Sequence, residues 1–266
     1  MTSSGTNYHA HALARGLGVL QELAAARKPL TLRELHDVTE LPKPTLVRLL
    51  NVMEGMSFVV RVDDRPSFEL GHSVVGLAEA YLENVDVEAL AAPHLRTLAK
   101  ATGQTANLGV LDGRQVLHLS VEEPDRPVRF NAVSGSRADA YCTGLGKLLL
   151  SRLPEDAVAD HVPPSPFPRH TRTTIVTLDD LLEDRRQTLD NGYAYDDEES
   201  DYGVRCLSVA LGTEGQPLAA ISVAGPAGEL TPDLHVGFLE HLRSARADME
   251  SDGDLTAALR LMGTRP

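Results

Sequence analysis

The sequence predicts an α+β protein of two domains: an N-terminal winged helix-turn-helix domain and a larger C-terminal domain with an antiparallel sheet. A chain of 266 residues, 42% of them hydrophobic, is long enough to form both. Three observations predict this arrangement. Residues 1–72 follow a pattern of helix, helix, corner, helix and hairpin, residues 73–100 are rich in Ala, Leu and Glu, and residues 101–266 contain runs of strands with segregated helices.

Local signals define the first two helices. Between His11 and Ala26, leucines recur every three or four residues, which predicts one buried helical stripe. This predicted stripe consists of Leu13, Leu17, Leu20 and Leu23. A short second helix is predicted to end near Thr39. It opens with Thr31 and Glu34, the spacing of a capping box, in which each side chain accepts a hydrogen bond from a backbone N–H of the other residue.

A proline-marked corner, "ELPKP", precedes the third helix. The prolines fix φ and push Leu41 and Lys43 away from the α region. The helix that follows has an apolar stripe, formed by Leu46, Leu49, Leu50 and Met53. Its other side carries Pro44, Thr45, Val47, Arg48 and Asn51. Two short strands, "FVVRV" and "SFEL", come next and are joined by a predicted turn, "DDRP".

This order of elements is typical of a winged helix-turn-helix, in which the third helix enters the major groove of DNA and the hairpin wing follows the backbone. Arg48 is predicted to donate two hydrogen bonds to a guanine, Thr45 to contact a phosphate or a base, and Val47 to pack on a thymine methyl. The arginines of the wing and of the first helix are predicted to neutralise phosphates. The candidate DNA-binding residues are Arg15, Lys43, Thr45, Val47, Arg48, Arg61 and Arg65.

The distribution of charge is compatible with this hypothesis. A formal net charge of −13 argues against nucleic acid as a partner. Residues 1–72, however, contain eight basic and eight acidic residues, so the whole acidic excess lies from residue 73 onward. Two alternatives stay open at this point. In the first, these cations are ordinary solvated charges on a helical face. In the second, the protein is a ligand-sensing module whose helix-turn-helix region contacts another protein instead of DNA.

The remaining segments alternate between helix and strand. Residues 73–100 are predicted to form a helical connector with a break near Asn84, a kink at Pro93 and a C-terminal cap at Gly103. Two strands flank Asp112 and Gly113, a dipeptide typical of two-residue hairpin turns. The other predicted elements are a strand near 128–133, helices at 144–153 and 177–192, a strand hairpin over 204–225, and a terminal amphipathic helix that starts at 231–232.

Several quoted segments resemble a known family. The run "LARGLGVLQELAAARKPLTLRELHDVTELPKPTLVRLL" is similar to the N-terminal half of the IclR (isocitrate lyase regulator) family of bacterial transcription factors. The segments "YCTGLGKLLLSRLPE", "RHTRTTI", "GYAYDDEESDYGVRCLSV" and "AAISVAGP" are similar to the effector domain of that family. The resemblance implies a winged-helix DNA-binding domain, a linker helix that mediates dimerisation, and a GAF-like domain that binds small organic acids and often tetramerises.

The resemblance also implies an effector site. The positions that contact the ligand in the family correspond here to Gly144, Leu145, Asp196, Val204, Cys206 and Ser222. This chain departs from the family at Pro44 and Val47 in the third helix, and at Ala224, where some members have a second serine. Independently of the family, free N–H groups at the start of the helix near Gly144 favour a carboxylate. Since Ala224 makes the site more apolar, we expect a carboxylate ligand with an apolar or aromatic body.

These observations predict a ligand-responsive regulator, with repression favoured over activation. The expected domains are residues 1–72 for DNA binding, 73–100 as the linker helix and 101–266 for effector binding. The expected partners are an operator in double-stranded DNA, a small carboxylate effector and further copies of the chain, in a dimer or a tetramer. No cofactor, metal or membrane span is expected, because metal-ligand spacings and long apolar runs are absent, and a cytoplasmic protein is predicted.

An enzyme is the main alternative. Cys142, His170 and Asp196 supply the residue types of a nucleophile, a base and an orienting acid. The sequence has no G-x-S-x-G elbow, phosphate-binding loop or H-E-x-x-H motif to support catalysis. We therefore expect that the protein is not an enzyme.

Overall fold

The computed structural model of the protein describes residues 4–62, 67–127, 130, 132–213 and 216–262. The chain forms two compact units, Met1–Asn84 and Val85–Pro266. The first unit has one apolar core, and the second has an apolar core on each side of its sheet. The predicted α+β class is confirmed.

The first unit has the predicted order of helix, helix, corner, helix and hairpin. Its elements are α1 (Ser4–Ala26), β1 (Leu30–Thr31), α2 (Leu32–Thr39), α3 (Lys43–Gly55), β2 (Val59–Val62), β3 (Ser67–Leu70) and α4 (Ser73–Asn84). The strands form a small antiparallel sheet in the order β1-β3-β2, so the predicted hairpin is extended by one short strand that the sequence did not reveal. The predicted "DDRP" turn lies outside the described residues.

The corner between α2 and α3 is built from local signals. Thr31 caps α2 and forms the predicted capping box: its Oγ1 accepts from the N–H of Glu34 at 3.2 Å, and its own N–H donates to Glu34 Oε2 at 2.7 Å. Glu40 ends α2 in the left-handed region with φ of 57°. The expectation that Lys43 lies outside the helix is wrong. Lys43 is the first residue of α3, because a proline at the second position of a helix costs no backbone hydrogen bond.

The core of this unit confirms one predicted stripe and corrects the other. Leu46, Leu50 and Met53 of α3 are buried as expected. In α1, however, Leu13 and Leu17 are 65% and 52% exposed. The buried face of α1 instead contains Gly16, Val19 and Leu23. Gly16 faces α3, because a Cβ at this position would lie within 4 Å of Leu49 and Met53. The spacing of leucines could not reveal a face that contains a glycine.

The second unit contains a six-stranded antiparallel sheet in the order β6-β5-β4-β9-β8-β7. Its strands are β4 (Thr105–Asp112), β5 (Gln115–Glu122), β6 (Arg137–Asp139), β7 (Ala194–Asp197), β8 (Val204–Thr213) and β9 (Gln216–Pro226). Its α-helices are α5 (Val87–Thr102), α6 (Gly144–Ser151), α7 (Leu178–Asn191), α8 (His235–Ser251) and α9 (Gly253–Met262). The sequence predicted all of these helices except the division between α8 and α9, and it missed β7 and β6.

Details of the predicted connections are adjusted by the structure. Asp112 pairs with Gln115, so the two-residue loop of the β4–β5 hairpin is Gly113 and Arg114, one position later than expected. Gly113 takes the positive φ of 62° that this turn requires. Residues 73–100 contain two helices, since α4 ends at Asn84 and α5 begins at Val87. The strand predicted near 128–133 falls partly outside the described residues, and the prediction is wrong for residues 130, 132 and 133, which are not in a strand.

The two faces of the large sheet differ in chemistry. One face is apolar and packs with α5, α8 and α9 around residues such as Leu108, Leu207 and Ile221. The other face, beneath α6, combines a smaller apolar core with small and polar residues on neighbouring strands. They are Thr105, Asn107, Asp196, Cys206, Ser208, Ser222 and Ala224. Helix α6 itself is buried over its whole length.

Gly146 fixes how closely α6 approaches the preceding turn. A Cβ at Gly146 would lie 2.2 Å from the carbonyl oxygen of Ala140 and 2.3 Å from its Cα. Both are backbone atoms, which cannot rotate away as a flexible side chain can. Only glycine therefore fits at this position.

We expect Gly146→Ala to lower the free energy of unfolding by about 3 kcal/mol, because the added methyl overpacks a rigid contact. Gly237→Ala is the matched control in α8. No atom lies within 4 Å of a Cβ at Gly237, so this change should leave stability equal or slightly higher. Urea unfolding of the two variants measures both effects, and a Gly146→Ala protein as stable as the wild type would contradict the close approach.

Candidate functional site

Helix α3 presents its polar side to solvent. Lys43, Val47, Arg48 and Asn51 are exposed and Thr45 is half-buried, while the apolar stripe of the same helix faces the core. Neither Lys43 nor Arg48 forms an ion pair with any residue in the described part of the chain. Both cations are therefore available to an external partner.

A groove between α1 and α3 brings three of the predicted DNA-binding residues together. It has a volume of about 390 Å³ and contains Arg15 of α1 beside Thr45 and Arg48 of α3. Its other lining residues are His11, Ala12, Leu49 and Val52. The two guanidinium groups thus lie on one surface of the unit, as a nucleic-acid interface requires.

The wing arginines are placed differently. Arg61 on β2 forms a long ion pair with Glu54, with 3.8 Å between Nη2 and Oε2, and its guanidinium carbon lies 5.5 Å from the ring centroid of Phe68. These contacts hold its side chain against the hairpin. Arg65, the other predicted wing residue, lies outside the described residues.

The second candidate site lies where the first turn of α6 rests on the sheet. Thr143 caps the helix by accepting from the N–H of Gly146 at 3.3 Å, which leaves the first N–H groups of α6 for other acceptors. Gly144 lies against β8: a Cβ there would be 2.8 Å from Ser208 Oγ and 2.9 Å from Cys206 Sγ. Glycine at 144 therefore allows the helix to bring its N-terminus down onto these two side chains.

Register places most of the predicted effector residues in two adjacent rows on this face. Asp196, Cys206 and Ala224 are paired side by side across β7, β8 and β9. Ser208 and Ser222 form the next row, and Cys206 Sγ lies 3.6 Å from Ser208 Oγ. Burial raises the pKa of Cys206 to about 11, so its thiol is neutral.

The other two predicted effector residues are placed differently. Val204 is half-buried at the start of β8, on the same side as Cys206. Leu145 directs its side chain into the apolar cluster beneath α6, where its Cδ1 would be 3.2 Å from a Cβ at Gly109. Any contribution of Leu145 to a polar ligand would therefore come from its backbone N–H.

Asp196 is a buried carboxylate held by its own loop. It is 2% exposed, and its oxygens accept from the N–H of Glu199 at 2.7 Å and from Ser200 Oγ at 2.8 Å. Burial raises its pKa to about 6, although these hydrogen bonds oppose the shift. The acidic run of Asp196, Asp197, Glu198 and Glu199 has a pattern typical of a solvated edge. The structure instead buries its first and last residues, Asp196 and Glu199.

A buried lysine that the sequence did not reveal stabilises the loop that contains Glu199. The ammonium of Lys147 on α6 is 1% exposed and lies 3.0 Å from Asp184 Oδ1 and 2.5 Å from Glu199 Oε1. Burial disfavours its charge, but the two carboxylates outweigh burial and raise the pKa of Lys147. A single lysine in the otherwise apolar run "GLGKLLL" was the signal that could have revealed it.

The residues of the enzyme alternative do not form a catalytic arrangement. Cys142 is 2% exposed, and burial raises the pKa of its thiol far above neutrality. His170 Nε2 lies 3.2 Å from Asp139 Oδ2 and 3.0 Å from the hydroxyl of Tyr141, whereas Asp196 accepts hydrogen bonds only from its own loop among the contacts described above. The imagined orienting acid is therefore engaged elsewhere.

The described residues contain neither a metal-ligand cluster nor a helix suited to span a membrane. No group of three or more His, Cys, Asp or Glu side chains is arranged to hold a metal ion there. None of the helices in the same part of the chain combines the length and apolar character that crossing a membrane requires.

Taken together, a helix-turn-helix with an exposed cationic groove and a separate sheet domain with a buried polar site define a DNA-binding regulator with a sensor domain. Residues 12–63 match the family model described as the IclR helix-turn-helix domain, and residues 79–250 match the one described as bacterial transcriptional regulator IclR C-terminal. The chain belongs to the IclR family of bacterial transcriptional regulators.

Individual relatives agree with this assignment. The HTH-type transcriptional repressor AllR of Escherichia coli (strain UTI89 / UPEC) is 32% identical over 251 residues, which cover 94% of this chain and 93% of AllR. AllR of Salmonella paratyphi A is 32% identical over 243 residues, or 91% of this chain and 89% of that protein.

Solved structures show the same fold. A transcriptional regulator from Rhodococcus sp. RHA1 is 27% identical with a TM-score of 0.60, over 94% of this chain and 99% of that one. An IclR regulator from Silicibacter sp. TM1040 has a TM-score of 0.70 at 24% identity, over 96% of this chain and 97% of that one, and supports the fold alone.

We expect Arg48→Ala to reduce the ratio of specific to random-sequence DNA affinity by about tenfold, because a bidentate contact to a base is worth about 1–3 kcal/mol. Arg61→Ala removes the same charge from the wing and should weaken binding to both DNAs by similar factors. Fluorescence anisotropy with a fragment from upstream of the protein's own gene measures the ratio.

Arg186→Ala, on the exposed surface of α7, controls for the change in net charge and should leave both affinities unchanged. Equal losses on specific and random DNA for Arg48→Ala would contradict a base-reading role for Arg48.

Proposed function

We propose that this protein is a ligand-responsive transcriptional repressor that binds an operator through its N-terminal unit and a small organic acid through its C-terminal unit. The proposed acid-binding role is supported by the position of Asp196, Cys206 and Ser222 on the sheet face beneath Gly144, the first residue of α6. Repression is favoured because the relatives named above are called repressors.

The acid site would work through hydrogen-bond donors in a water-poor pocket. The N–H groups of Gly144 and Leu145 would donate to the ligand carboxylate, and the helix dipole would favour its negative charge. The hydroxyl of Ser222 would add a donor from β9. Ala224, beside Cys206, would contact an apolar or aromatic part of the ligand.

The DNA-binding site would use the α3 face and the groove to α1. Arg48, Thr45 and Val47 would approach base edges, Lys43 and Arg15 would bind phosphates, and the arginines of the wing would follow the backbone. Support comes from the exposure of Arg15, Lys43, Val47, Arg48 and Arg61. Among the residues that the structure describes, no competing ion pair engages Lys43 or Arg48.

We propose that the acid acts on DNA binding through the segment between the sites. The functional domains would be residues 1–72, 73–100 and 101–266, with the middle segment transmitting the effect. A GAF-like sensor acting in a cytoplasmic dimer or tetramer fits paired half-sites in DNA. Exposed apolar side chains on α1 and α4 would suit contacts between copies. They are Leu13, Leu17, Val75 and Leu77.

The proposed function is tested by combining a ligand screen with DNA binding. Thermal shift against a panel of carboxylic acids would identify ligands, because binding to the folded form alone raises the melting temperature. The best acid should then change the affinity for the upstream DNA fragment several-fold. Turnover of esters or amides with unchanged DNA affinity would instead favour the enzyme alternative.

Asp196 gives a prediction about pH. Because its folded-state pKa is raised from 3.8 to about 6, the folded protein binds this proton more tightly than the unfolded chain does. The associated stability is present at low pH and is lost as the pH rises through about 6. The stability of the wild type relative to Asp196→Asn should therefore fall by on the order of 2 kcal/mol between pH 4 and pH 7.5.

Urea unfolding of both proteins at several pH values measures this difference. Ser200→Ala is the matched comparison, because it removes one hydrogen bond to the same carboxylate but keeps the titrating group. It should retain the pH dependence that Asp196→Asn loses. A relative stability that rises with pH would show that the carboxylate of Asp196 is stabilised by its partners and not penalised by burial.

A further inference from the structure

The polar face beneath α6 continues beyond Ser222 onto β4. Asn107 pairs with Ser222 in register, and its Nδ2 donates to Ser222 Oγ at 3.2 Å and to the carbonyl oxygen of Thr105 at 3.4 Å. The residue is 1% exposed. Its other amide atom, Oδ1, is buried and has no hydrogen-bond partner among the residues that the structure describes.

The orientation of this amide is determined by its neighbours. If the amide were reversed, Oδ1 would take the position 3.4 Å from the Thr105 carbonyl oxygen, and two acceptors would face each other. Nδ2 therefore points towards Ser222 and Thr105, and Oδ1 is the open acceptor. In folded proteins the large majority of buried polar atoms have a hydrogen-bond partner, so an open buried acceptor calls for an explanation.

His118 on β5 adds a second open atom on the same face of the sheet as Asn107. It pairs with Gly109, which lies two residues after Asn107 and so on the same side of the sheet. Its ring is 9% exposed, and within the described part of the chain no group hydrogen-bonds to its Nδ1. Burial lowers the pKa of His118, so the imidazole is uncharged at neutral pH. Neither residue therefore attracts a second negative charge.

We propose that Asn107 Oδ1 and His118 Nδ1 form a neutral polar subsite of the acid-binding site, which accepts a hydroxyl or amide N–H donor on the body of the ligand. The inference rests on the proposed function, because it needs the ligand carboxylate to lie at the start of α6. Ser222 links the two ends: it contacts Asn107 and shares a row with Ser208, which Gly144 covers. The ligand class is then a carboxylic acid with an uncharged hydrogen-bond donor.

This subsite refines the apolar ligand suggested by Ala224. Ala224 lies between Thr105 and Cys206 in register, so an apolar surface adjoins the polar row that contains Asn107. A hydroxylated aromatic acid satisfies both surfaces, whereas an unsubstituted aromatic acid would leave Oδ1 buried without a partner.

Matched pairs of acids test the subsite by calorimetry. The probes are 4-hydroxybenzoate with benzoate, 4-hydroxyphenylacetate with phenylacetate, and lactate with propionate. We expect the hydroxyl acid of at least one pair to bind the wild-type protein about tenfold more tightly. Asn107→Leu, which keeps the number of side-chain heavy atoms and the branching at Cγ but removes the acceptor, should reduce this preference to within about twofold.

Ser120→Ala is the matched control. Ser120 Oγ is also buried without a partner in the described residues, but Ser120 pairs with Leu108, which belongs to the core on the opposite face. This variant should keep the full preference for the hydroxyl acid. If Asn107→Leu does not fold by circular dichroism, Asn107→Val, which suits a strand, makes the same comparison.

Equal binding of both members of every pair to the wild-type protein would overturn the subsite but not the acid site. A preference for the hydroxyl acid that survives in both Asn107 variants would also overturn it. If none of these acids nor any acid of the wider panel binds the wild-type protein, the acid site itself is wrong, and this inference falls with it.

Discussion

The sensor unit depends on one buried interaction, the ion cluster around Lys147. Its ammonium connects α6 to α7 through Asp184 and to the loop after β7 through Glu199. The N–H of Glu199 in turn donates to Asp196, so the same cluster orients the buried acid of the candidate site. Removing one partner of a buried ion pair typically costs about 3–5 kcal/mol, because an uncompensated charge remains. The position of the α6 N-terminus therefore depends on charges that lie outside the proposed acid site.

The difference between the two faces of the sheet explains how one domain can be stable and also present polar groups suited to binding. Its apolar face, packed with α5, α8 and α9, supplies most of the buried aliphatic side chains. The face under α6 bears hydroxyl, thiol, amide and carboxyl groups, which contribute little to hydrophobic stabilisation. Within the described part of the chain, Asn107 Oδ1 and His118 Nδ1 on this face have no hydrogen-bond partner. Such groups are costly in a core and useful in a binding site.

Local chemistry explains what the sequence revealed. The capping box at Thr31, the prolines around Lys43 and the periodic leucines of α3 act over a few residues, so they predicted the helix-turn-helix and the exposure of Arg48. The hairpins and α7 carried equally local turn and cap signals. The residue roles in the effector site came from family resemblance, and the structure shows only that most of those residues lie together.

What the sequence did not reveal depends on distant partners. The buried face of α1 is set by the approach of α3 at Gly16, and leucine spacing pointed to Leu13 and Leu17 instead. The acidic run after β7 resembled a solvated edge because its partner, Lys147, lies about fifty residues earlier in the chain. Asn107 carried no signal at all, since an asparagine in a strand gains meaning only from the register that places it beside Ser222.

In the proposed function, binding of the acid and binding of the operator are thermodynamically coupled. Thermodynamic linkage requires that if the acid weakens DNA binding by a given factor, DNA weakens binding of the acid by the same factor. Calorimetric titration of the best acid into the free protein and into the protein saturated with operator DNA measures this directly. We expect the two dissociation constants to differ by the factor found in the DNA titrations, and identical dissociation constants would contradict the account.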